Sequence, residues 1–349
     1  MNYIVKTKGG ILLNLKKREI SGTFAGLASL VSRMSESDGM FQRVNSDYYA
    51  SRSGFAGELK VDRFLEELEL KMPYYIIQNL NLKVGRKEVQ IDTIILHPNF
   101  VLVIEIKNMR GEFYFDPISN QFYRVNVAGE REGMRNPEVQ LSRATNIVNA
   151  FFRSRGFDIV ADGIIVFVSR AGIVMQPSQK WKTIPIDALV GAIEQLENQT
   201  KQLFSDESCK RLAFELLCEN KIGESPSIVD YYNISPNKIK MGVRCPSCHD
   251  IPMEKRHSYW YCEKCGMKSR DAHLGTLQEY RLLFGSKITS RKAKEFMQHD
   301  SIYYSIRVLN KNAQSENEKK RYRFFRIADE RHLLLGFVQG ELNKWQIKK

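Results

Sequence analysis

Three short apolar runs that follow one another closely constrain the fold of this chain more than any other feature. The runs Tyr74–Leu80, Val89–Leu96 and Val101–Lys107 are rich in Ile and Val. The breaks between them hold Gly85 and the tripeptide at 97–99, His-Pro-Asn. Runs of this length and composition between turn residues predict β-strands. We therefore expect three sequential strands at the centre of the fold.

Helical patterns flank these strands. Upstream, apolar residues recur at helical spacing through Glu58–Leu70. Downstream, Asn136 and Pro137 predict the N-cap and first position of a long helix, and Gly163–Ser169 predicts a buried strand after it. The order helix, three strands, helix, strand predicts an α/β fold with a mixed central sheet flanked by helices.

The cysteines form a second strong pattern. Two C-x₂-C pairs, thirteen residues apart, comprise Cys245, Cys248, Cys262 and Cys265. This spacing suits a closed, tetrahedral Zn²⁺ site of four thiolates, and it resembles a zinc ribbon. Two disulfides are the alternative, but adjacent pairs in a reducing compartment argue against them. Four thiolates leave no coordination place for the nearby His249 and His257, and Cys209 and Cys218 are expected to be core-filling thiols.

The net charge of +13 lies mainly in the C-terminal third. Residues 241–349 hold 22 Lys and Arg against 12 Asp and Glu, whereas residues 1–240 hold 31 against 28. A concentrated positive field attracts polyanions, and nucleic acid is the commonest polyanion in a cell. The alternative is a basic surface that serves only solubility.

The sequence does not predict a membrane protein. It has no run of about 18 apolar residues, and its first residues, MNYIVKTKGG, carry no apolar stretch long enough for a secretory signal. We expect a soluble, cytoplasmic protein. Residues 1–50 receive no assigned chemistry and are a candidate interface for a second copy of the chain or for a protein partner.

Charged residues interrupt the predicted strands at one level. Because side chains alternate along a strand, Glu105 and Lys107 share a face, and Asp92 lies near the level of Glu105 if the two strands pair. Two carboxylates at one place repel each other, and a divalent cation removes that repulsion. Mg²⁺ often uses one or two carboxylates plus phosphate oxygens and activates water for phosphodiester hydrolysis. The alternative is a structural salt bridge in a half-buried sheet.

These residues resemble a known family motif. Asp92, followed thirteen residues later by Glu105-Ile106-Lys107, looks like the core motif of the PD-(D/E)xK nuclease superfamily. The segments GFAGE at 54–58 and NPEVQ at 136–140 narrow the resemblance to the NERD (nuclease-related) domain over roughly residues 50–170. The proline that usually precedes the core Asp is replaced by Ile91, and every other motif position is present.

The resemblance implies a restriction-endonuclease-like core that cleaves DNA with Mg²⁺ or Mn²⁺. It implies that Asp92 and Glu105 bind the metal, together with the backbone carbonyl of Ile106, and that Glu58 helps to hold it. It also implies that Lys107 is the catalytic lysine.

The resemblance further implies that Gln140 leans into the site from the second helix. From the residues alone, two members of the set have simpler explanations. Glu58 is also explained as an acidic residue in the first turn of a helix, and Gln140 as a solvated helix residue.

The C-terminal third supplies candidate nucleic-acid contacts. They are Lys255, Arg256, Arg291, Lys292, Lys294 and Arg307. In the insert between the cysteine pairs, Tyr259 and Trp260 would either stack on bases or form the small core of the ribbon. Three short helices are predicted at 277–284, 290–297 and 301–310, and the last two resemble a helix-turn-helix element.

The predicted organisation is an N-terminal extension at 1–50, a NERD nuclease-like domain at 51–222 and a linker at 223–241. A zinc ribbon at 242–270 and a basic, mainly helical domain at 271–349 follow. The predicted function is a metal-dependent deoxyribonuclease whose C-terminal region binds nucleic acid, with DNA as the expected substrate. The alternative is a non-catalytic nucleic-acid-binding or regulatory protein that uses the nuclease fold as a platform.

Overall fold

The structure is a computed structural model that describes residues 3–6, 11–126, 128–220, 227–316 and 323–343. The chain divides into two compact units. Unit 1 comprises residues 1–19 and 53–222, and unit 2 comprises residues 20–52 and 223–349. Within the described ranges, no helix combines the length and the apolar character that a membrane crossing requires.

Strands and helices are numbered separately, each in chain order. The strands are β1 Tyr3–Lys6, β2 Ile11–Lys16, β3 Tyr74–Val84, β4 Lys87–His97, β5 Phe100–Lys107, β6 Gly111–Phe115, β7 Phe122–Val125, β8 Arg131–Met134, β9 Asp162–Phe167, β10 Gly172–Gln176, β11 Lys182–Pro185, β12 Glu254–Lys255, β13 Trp260–Tyr261, β14 Lys268–Ser269, β15 Lys287–Ile288, β16 Ala313–Ser315 and β17 Phe325–Ile327. The helices are α1 Gly22–Arg33, α2 Phe41–Glu66, α3 Pro137–Arg153, α4 Leu189–Gln199, α5 Asp206–Cys218, α6 Ile228–Tyr231, α7 Ala272–Phe284, α8 Ser290–Met297, α9 Ile302–Asn312 and α10 Leu335–Asn343.

Unit 1 is built on a mixed sheet with the strand order β1-β2-β3-β4-β5-β9-β11. The strands β3, β4 and β5 are antiparallel neighbours, as sequential apolar runs with short connections predict. The strand β2 is parallel to β3, and β5, β9 and β11 are parallel to one another. A second sheet has the order β10-β6-β7-β8. The predicted mixed α/β sheet is therefore confirmed.

Helices cover both faces of the mixed sheet. On one face, α3 and α5 pack on strand residues such as Ile94 and Val103. On the other face, α2 and α4 pack on residues such as Ile95 and Ile104. Each fully buried aliphatic side chain of this kind contributes about 1.5–3 kcal/mol. The two apolar faces explain why β5 is an almost uninterrupted apolar run, since a strand buried on both sides needs no polar alternation.

The side-chain alternation in the centre of the sheet reverses at one level. In β4, Ile94 and Leu96 pack on the side of α3, and so does Ile91, which regular alternation would place on the other side. On the neighbouring strand β3, Asn79 adopts a φ of 54°, in the left-handed region that Asn tolerates better than most residues. The reversal falls at Asp92, so this residue lies at a local irregularity of an otherwise regular sheet.

Unit 2 combines helices with two small sheets. The helices α1, α6 and α7 pack together, and α8 packs on α9. The strands β12, β13 and β14 form one antiparallel sheet, and the other has the order β15-β17-β16. The three short helices predicted after the cysteine pairs are present as α7, α8 and α9. The mainly helical C-terminal region is thus confirmed.

A buried ion cluster joins three segments of unit 2. The carboxylate of Glu279 on α7 is fully buried and accepts hydrogen bonds from Arg33 of α1 and from Nε of Arg244 at 2.7 Å. Burial by itself raises the pKa of Glu279, but the two guanidinium groups outweigh it and leave this pKa lowered. Removing Glu279 would leave two buried guanidinium groups without a counter-charge, so this carboxylate holds α1 and the start of the ribbon to α7.

Two local predictions differ from the structure. The helix predicted to begin at Glu58 begins at Phe41, so Glu58 lies in its middle and the first-turn explanation for this acid is wrong. Phe41, Val44 and Tyr48 are buried at helical spacing and explain the longer helix. In the predicted linker, the described residues 227–241 include α6. The finer division into domains stays a prediction.

Candidate active site and cysteine cluster

Asp92 reaches the backbone of the neighbouring strand. The paired register of β4 and β5 runs from His97 opposite Phe100 to Thr93 opposite Ile104. Beyond that pair, the N–H of Ile106 donates to Oδ2 of Asp92 at 3.0 Å. The side chain of Asp92 therefore continues the pairing in place of its backbone, and its carboxylate lies against the segment that carries Glu105 and Lys107.

Glu105 and Lys107 form an ion pair on the side of α3. Nζ of Lys107 lies 2.6 Å from Oε1 of Glu105. The same Nζ donates to Oε1 of Gln140 at 2.9 Å. Gln140 is on the first turn of α3, which Asn136 begins by accepting the N–H of Glu138. The structure thus brings together Glu105, Lys107 and Gln140, although 33 positions separate the lysine from the glutamine.

A second polar group lies on the side of α2. The guanidinium of Arg18 donates to Oε2 of Glu58 at 2.8 Å and forms two bonds to Asp62, at 2.8 and 3.0 Å. It also donates to the carbonyl oxygen of Asp92 at 3.1 Å and to the hydroxyl of Thr93 at 3.0 Å. The Arg18 side chain is 1 % exposed. This arginine is therefore a buried cation whose acceptors lie on two other elements of unit 1, α2 and β4.

The backbone around Arg18 is held as firmly as its side chain. The N–H of Arg18 donates to Oε1 of Gln78 at 2.6 Å. Two residues earlier, Nζ of Lys16 donates to the carbonyls of Gln78 and Asn79, at 3.0 and 2.9 Å. Burial lowers the pKa of Arg18, but the hydrogen bond and the charge of Asp62 outweigh it and leave this pKa raised. Arg18 therefore stays protonated, and its position just after β2 places its guanidinium between α2 and β4.

Sequence reasoning missed Arg18 and Asp62. The residues at 16–19, KKRE, directly follow the apolar run of β2, and that charged ending is the signal that could have marked them. It is a weak signal, because a charged run after a strand is usually solvated. The burial of Arg18 follows from the parallel pairing of β2 with β3, which no local pattern predicts.

Gly57 allows α2 to approach the end of β5. A Cβ atom at Gly57 would lie 2.4 Å from Cβ of Asn108, the residue after Lys107. The side-chain amide of Asn108 in turn donates to the carbonyl of Ser53 at 2.7 Å. A larger residue would push the helix away from the strand. The absence of a side chain at Gly57 therefore lets α2 pack close to β5 and bring Glu58 close to Asp92.

Asp92 lies between the two polar groups and influences both. Burial, then the charge of Asp92, raises the pKa of Glu105 to about 7, although Lys107 opposes the shift. Burial, then Asp92, also raises the pKa of Glu58 to about 7 against the effect of Arg18. Crowded, partly buried carboxylates of this kind gain from a divalent cation, which favours their ionised forms.

The donor set fits a hard cation with few protein ligands. Among the described residues, only the four cysteines bring three or more Asp, Glu, His or Cys ligand atoms within 4.8 Å of one another. Asp92 and Glu105 therefore form a pair of carboxylates and not a closed cage. Mg²⁺ commonly binds one or two carboxylates and completes its octahedron with water and substrate phosphate. The part of the Ile106 carbonyl in such a site stays a prediction.

The four paired cysteines converge in unit 2. Their sulfur atoms lie within 4.8 Å of one another, with Cys245 to Cys265 at 3.6 Å and Cys248 to Cys262 at 3.5 Å. Four thiolates about 2.3 Å from a tetrahedral Zn²⁺ ion would stand about 3.8 Å apart. The cluster has the geometry of a closed structural site, and it could form the predicted zinc ribbon.

The two cysteine pairs are built in the same way. In each, the first cysteine donates its N–H to the carbonyl five residues later, from Cys245 to Asp250 and from Cys262 to Met267, both at 2.9 Å. The fourth residue after each first cysteine has a positive φ, 63° at His249 and 73° at Gly266. Each turn places the two sulfur atoms of its pair at the same site, so the two turns together supply four sulfur atoms.

Trp260 belongs to the core of unit 2. Its side chain is fully buried, and its Nε1 donates to the hydroxyl of Tyr304 on α9 at 3.2 Å. The ring of His299 also packs on it edge to face. The core explanation for Trp260 therefore holds, and the core extends beyond the ribbon to α9. Tyr259 is half-buried, with Nζ of Lys268 5.5 Å from its ring.

The predicted nucleic-acid contacts are dispersed over the ribbon and α8–α9. Four of them are exposed, namely Arg256, Arg291, Lys292 and Arg307. Lys294 is half-buried and lines a cleft of about 690 Å³ together with Arg291, but Glu295 and Asp300 also line it.

Lys255 differs from these residues because its ammonium contacts other groups of unit 2. Its Nζ donates to the carbonyl of Arg256 at 2.6 Å and lies 4.9 Å from the ring of Tyr304. Burial, then the charge of Arg307, lowers the pKa of Lys255. Lys255 therefore packs within unit 2.

The middle of unit 1 is similar to a known family. The family model of the nuclease-related domain, NERD, matches residues 53–168 of the chain. The matched segment contains the residues predicted to act in catalysis, whereas Arg18 lies outside it. Searches of the curated proteins and of the solved structures found no match.

Proposed function

We propose that this chain is a Mg²⁺- or Mn²⁺-dependent nuclease that hydrolyses phosphodiester bonds of DNA. The observation that carries the proposal is the Lys107–Glu105 pair, at 2.6 Å, beside the carboxylate of Asp92 in a NERD domain. A carboxylate pair with an adjacent ammonium is suited to a metal ion and to the negative charge of a phosphodiester undergoing attack.

Each residue has a part in the proposed reaction. Asp92 and Glu105 hold the metal, which when bound supplies an activated water and charge stabilisation at the phosphate oxygens. Nζ of Lys107 holds the attacking water or neutralises charge on the phosphate. Gln140 keeps Nζ in place, because it accepts a hydrogen bond from it at 2.9 Å.

Unit 2 is proposed to bind the nucleic acid. The four thiolates would hold a structural Zn²⁺ ion, which a reducing compartment such as the cytoplasm permits. The exposed side chains of Arg256, Arg291, Lys292 and Arg307 would contact phosphates. Association with a second copy of the chain or with a protein partner stays a prediction.

A cleavage assay tests the enzymatic part. Purified protein is incubated with plasmid and with linear DNA in Mg²⁺ or Mn²⁺, beside Glu105→Ala and Lys107→Ala. We expect the wild type to cut DNA and both variants to lose about 100-fold or more of this activity, because each removes a group that acts on the reacting phosphate. Glu88→Ala and Lys87→Ala are matched controls, since they remove an exposed carboxylate and an exposed ammonium from β4.

The same assay decides between an enzyme and a binding protein. DNA left equally intact by the wild type and all variants, with either metal, would reject the nuclease. A salt-dependent gel shift under those conditions would favour the alternative, a nucleic-acid-binding or regulatory protein that uses the nuclease fold as a platform.

A further inference from the structure

Several carboxylates lie close together around Asp92 in unit 1 and repel one another when they are ionised. Four carboxylates are involved, those of Glu58, Asp62, Asp92 and Glu105. Two cations are already in hydrogen-bond contact with members of the group: Arg18 with Glu58 and Asp62, and Lys107 with Glu105. When every carboxylate is ionised, these six side chains carry a net charge of −2, which one divalent ion would neutralise. Arg135 near Glu105 and Glu66 near Asp62 add one further charge of each sign.

The two cations bind different numbers of these carboxylates: Arg18 contacts two, and Lys107 contacts one. On the α2 side, the guanidinium of Arg18 binds Glu58 through Nη1 and Asp62 through both Nε and Nη2. The fork-like pair with Asp62 has the geometry of the strongest charge-assisted bonds. A metal ion on the other oxygen of Glu58 would lie beside this guanidinium, which is 1 % exposed and also bonds Asp92 and Thr93, and would be repelled by its charge.

The cation on the α3 side is less buried, since the Lys107 side chain is 19 % exposed against 1 % for Arg18. Lys107 contacts one oxygen of Glu105, and the N–H of Ile106 contacts one oxygen of Asp92. An ionised carboxylate offers about four lone-pair sites, so both groups keep acceptor capacity. Asp92 and Glu105 thus supply the one or two carboxylates that a hard cation uses.

We propose that Arg18 is a built-in cation of this site, so that unit 1 binds one divalent metal ion, at Asp92 and Glu105, and Glu58 acts as a positioning residue instead of a metal ligand. The inference rests on the proposed function, because it assumes the metal site at Asp92. It adds Arg18, which lies outside the matched family segment, to the site. It also sets the number of divalent ions bound by unit 1 at one.

Metal counting tests the inference directly. Mn²⁺ is titrated into the full-length, zinc-loaded protein, and the free ion is followed by its paramagnetic resonance signal. Sites that persist in Asp92→Asn are subtracted as surface binding. We expect one specific Mn²⁺ per chain in the wild type and in Arg18→Lys, which keeps the charge. We expect two in Arg18→Met, and one again in Arg18→Met/Glu58→Gln, which removes the freed carboxylate.

The outcomes separate the two proposals. Two specific ions in the wild type would overturn this inference alone, and so would a folded Arg18→Met protein that still binds one. No specific Mn²⁺ in the wild type would overturn the proposed metal site together with this inference. If Arg18→Met does not fold, as judged by circular dichroism, the counts for the wild type and Arg18→Lys decide, since one ion in each supports the inference and two ions overturn it.

Discussion

Gln140 on α3 accepts a hydrogen bond of 2.9 Å from the ammonium of Lys107 on β5. Glu105 contacts the same nitrogen from a second direction, at 2.6 Å. Together the two contacts limit the positions that the flexible side chain of Lys107 can take. A lysine held on two sides loses little further freedom when substrate binds, which suits the role proposed for Lys107 at a reacting phosphate.

We expect Gln140→Ala to lower the rate of DNA cleavage about 10-fold, because a hydrogen bond to a charged group contributes about 1.5–3 kcal/mol. The kcat should fall more than KM rises, since the residue acts through Lys107. Asn146→Ala is the matched control, an exposed amide on the same helix, and should leave cleavage unchanged. Equal rates for the Gln140 and Asn146 variants would show that the glutamine does not position the lysine.

The metal response should depend on pH. Glu58 and Glu105 have pKa values raised to about 7 from a usual value near 4.5. Between these values the folded, metal-free protein binds more protons than the unfolded chain, so its stability falls as pH rises. A bound cation requires ionised ligands, so the stabilisation by Mn²⁺ should grow from pH 6 to pH 8.

Melting temperatures with and without Mn²⁺ at pH 6, 7 and 8 measure this dependence. Glu105→Gln cannot ionise at position 105 and should show a smaller Mn²⁺ effect with a flatter pH profile. A Mn²⁺ shift of the same size at all three pH values would count against carboxyls of raised pKa in the site.

Removing one cysteine of the cluster should release its metal. We expect about one zinc per chain in the wild type and none in Cys262→Ser, because three thiolates no longer close the tetrahedron. Loss of the ion should also unfold the ribbon and expose the buried Trp260, which shifts its fluorescence to the red. Cys218 lies outside the cluster and is exposed, so the core-filling role expected for it is wrong, whereas Cys209 is buried. Cys218→Ser should therefore keep its zinc. Zinc retained in Cys262→Ser would refute the four-thiolate site.

The buried carboxylate of Glu279 should be essential to the stability of unit 2. Glu279→Ala leaves Arg33 and Arg244 without their shared partner, which costs about 3–5 kcal/mol for a buried pair. We expect a fall in melting temperature of about 10 °C, at about 2–4 °C per kcal/mol. Glu295→Ala, at an exposed position of α8, should change it little. A similar melting temperature for both variants would mean that the cluster does not stabilise unit 2.

The basic side chains of α8 and α9 should set the salt dependence of DNA binding. We expect the triple variant Arg291→Ala, Lys292→Ala and Arg307→Ala to lower the slope of log affinity against log salt by about three, at about 0.9 per phosphate contact. A triple alanine variant of Lys182, Lys201 and Lys210 removes the same charge from exposed positions of unit 1. Gel shifts at several salt concentrations compare them, and equal slopes would place the contacts elsewhere.

Much of unit 1 could be predicted from local patterns. Alternation along β5 places Glu105 and Lys107 on one face, and their 2.6 Å contact agrees with it. Strand pairing alone predicts that Asp92 lies near them. The observed position of the Asp92 side chain differs from regular strand pairing. The alternation of β4 reverses at Asp92, and its carboxylate accepts the backbone N–H of Ile106. A reversal of this kind depends on the packing of both strands, which a single-strand pattern does not contain.

Local patterns along the chain predict the mixed sheet, the NERD motif and the cysteine cluster, because these follow from short-range periodicity and from the fixed spacing that a metal or a strand requires. Two contacts appear only in the folded chain: Arg18 meets Glu58, 40 positions away, and Arg33 meets Glu279, 246 positions away. Both have the same cause. A buried charge is stable only where partners from distant segments converge on it, and that convergence is a property of the packed chain.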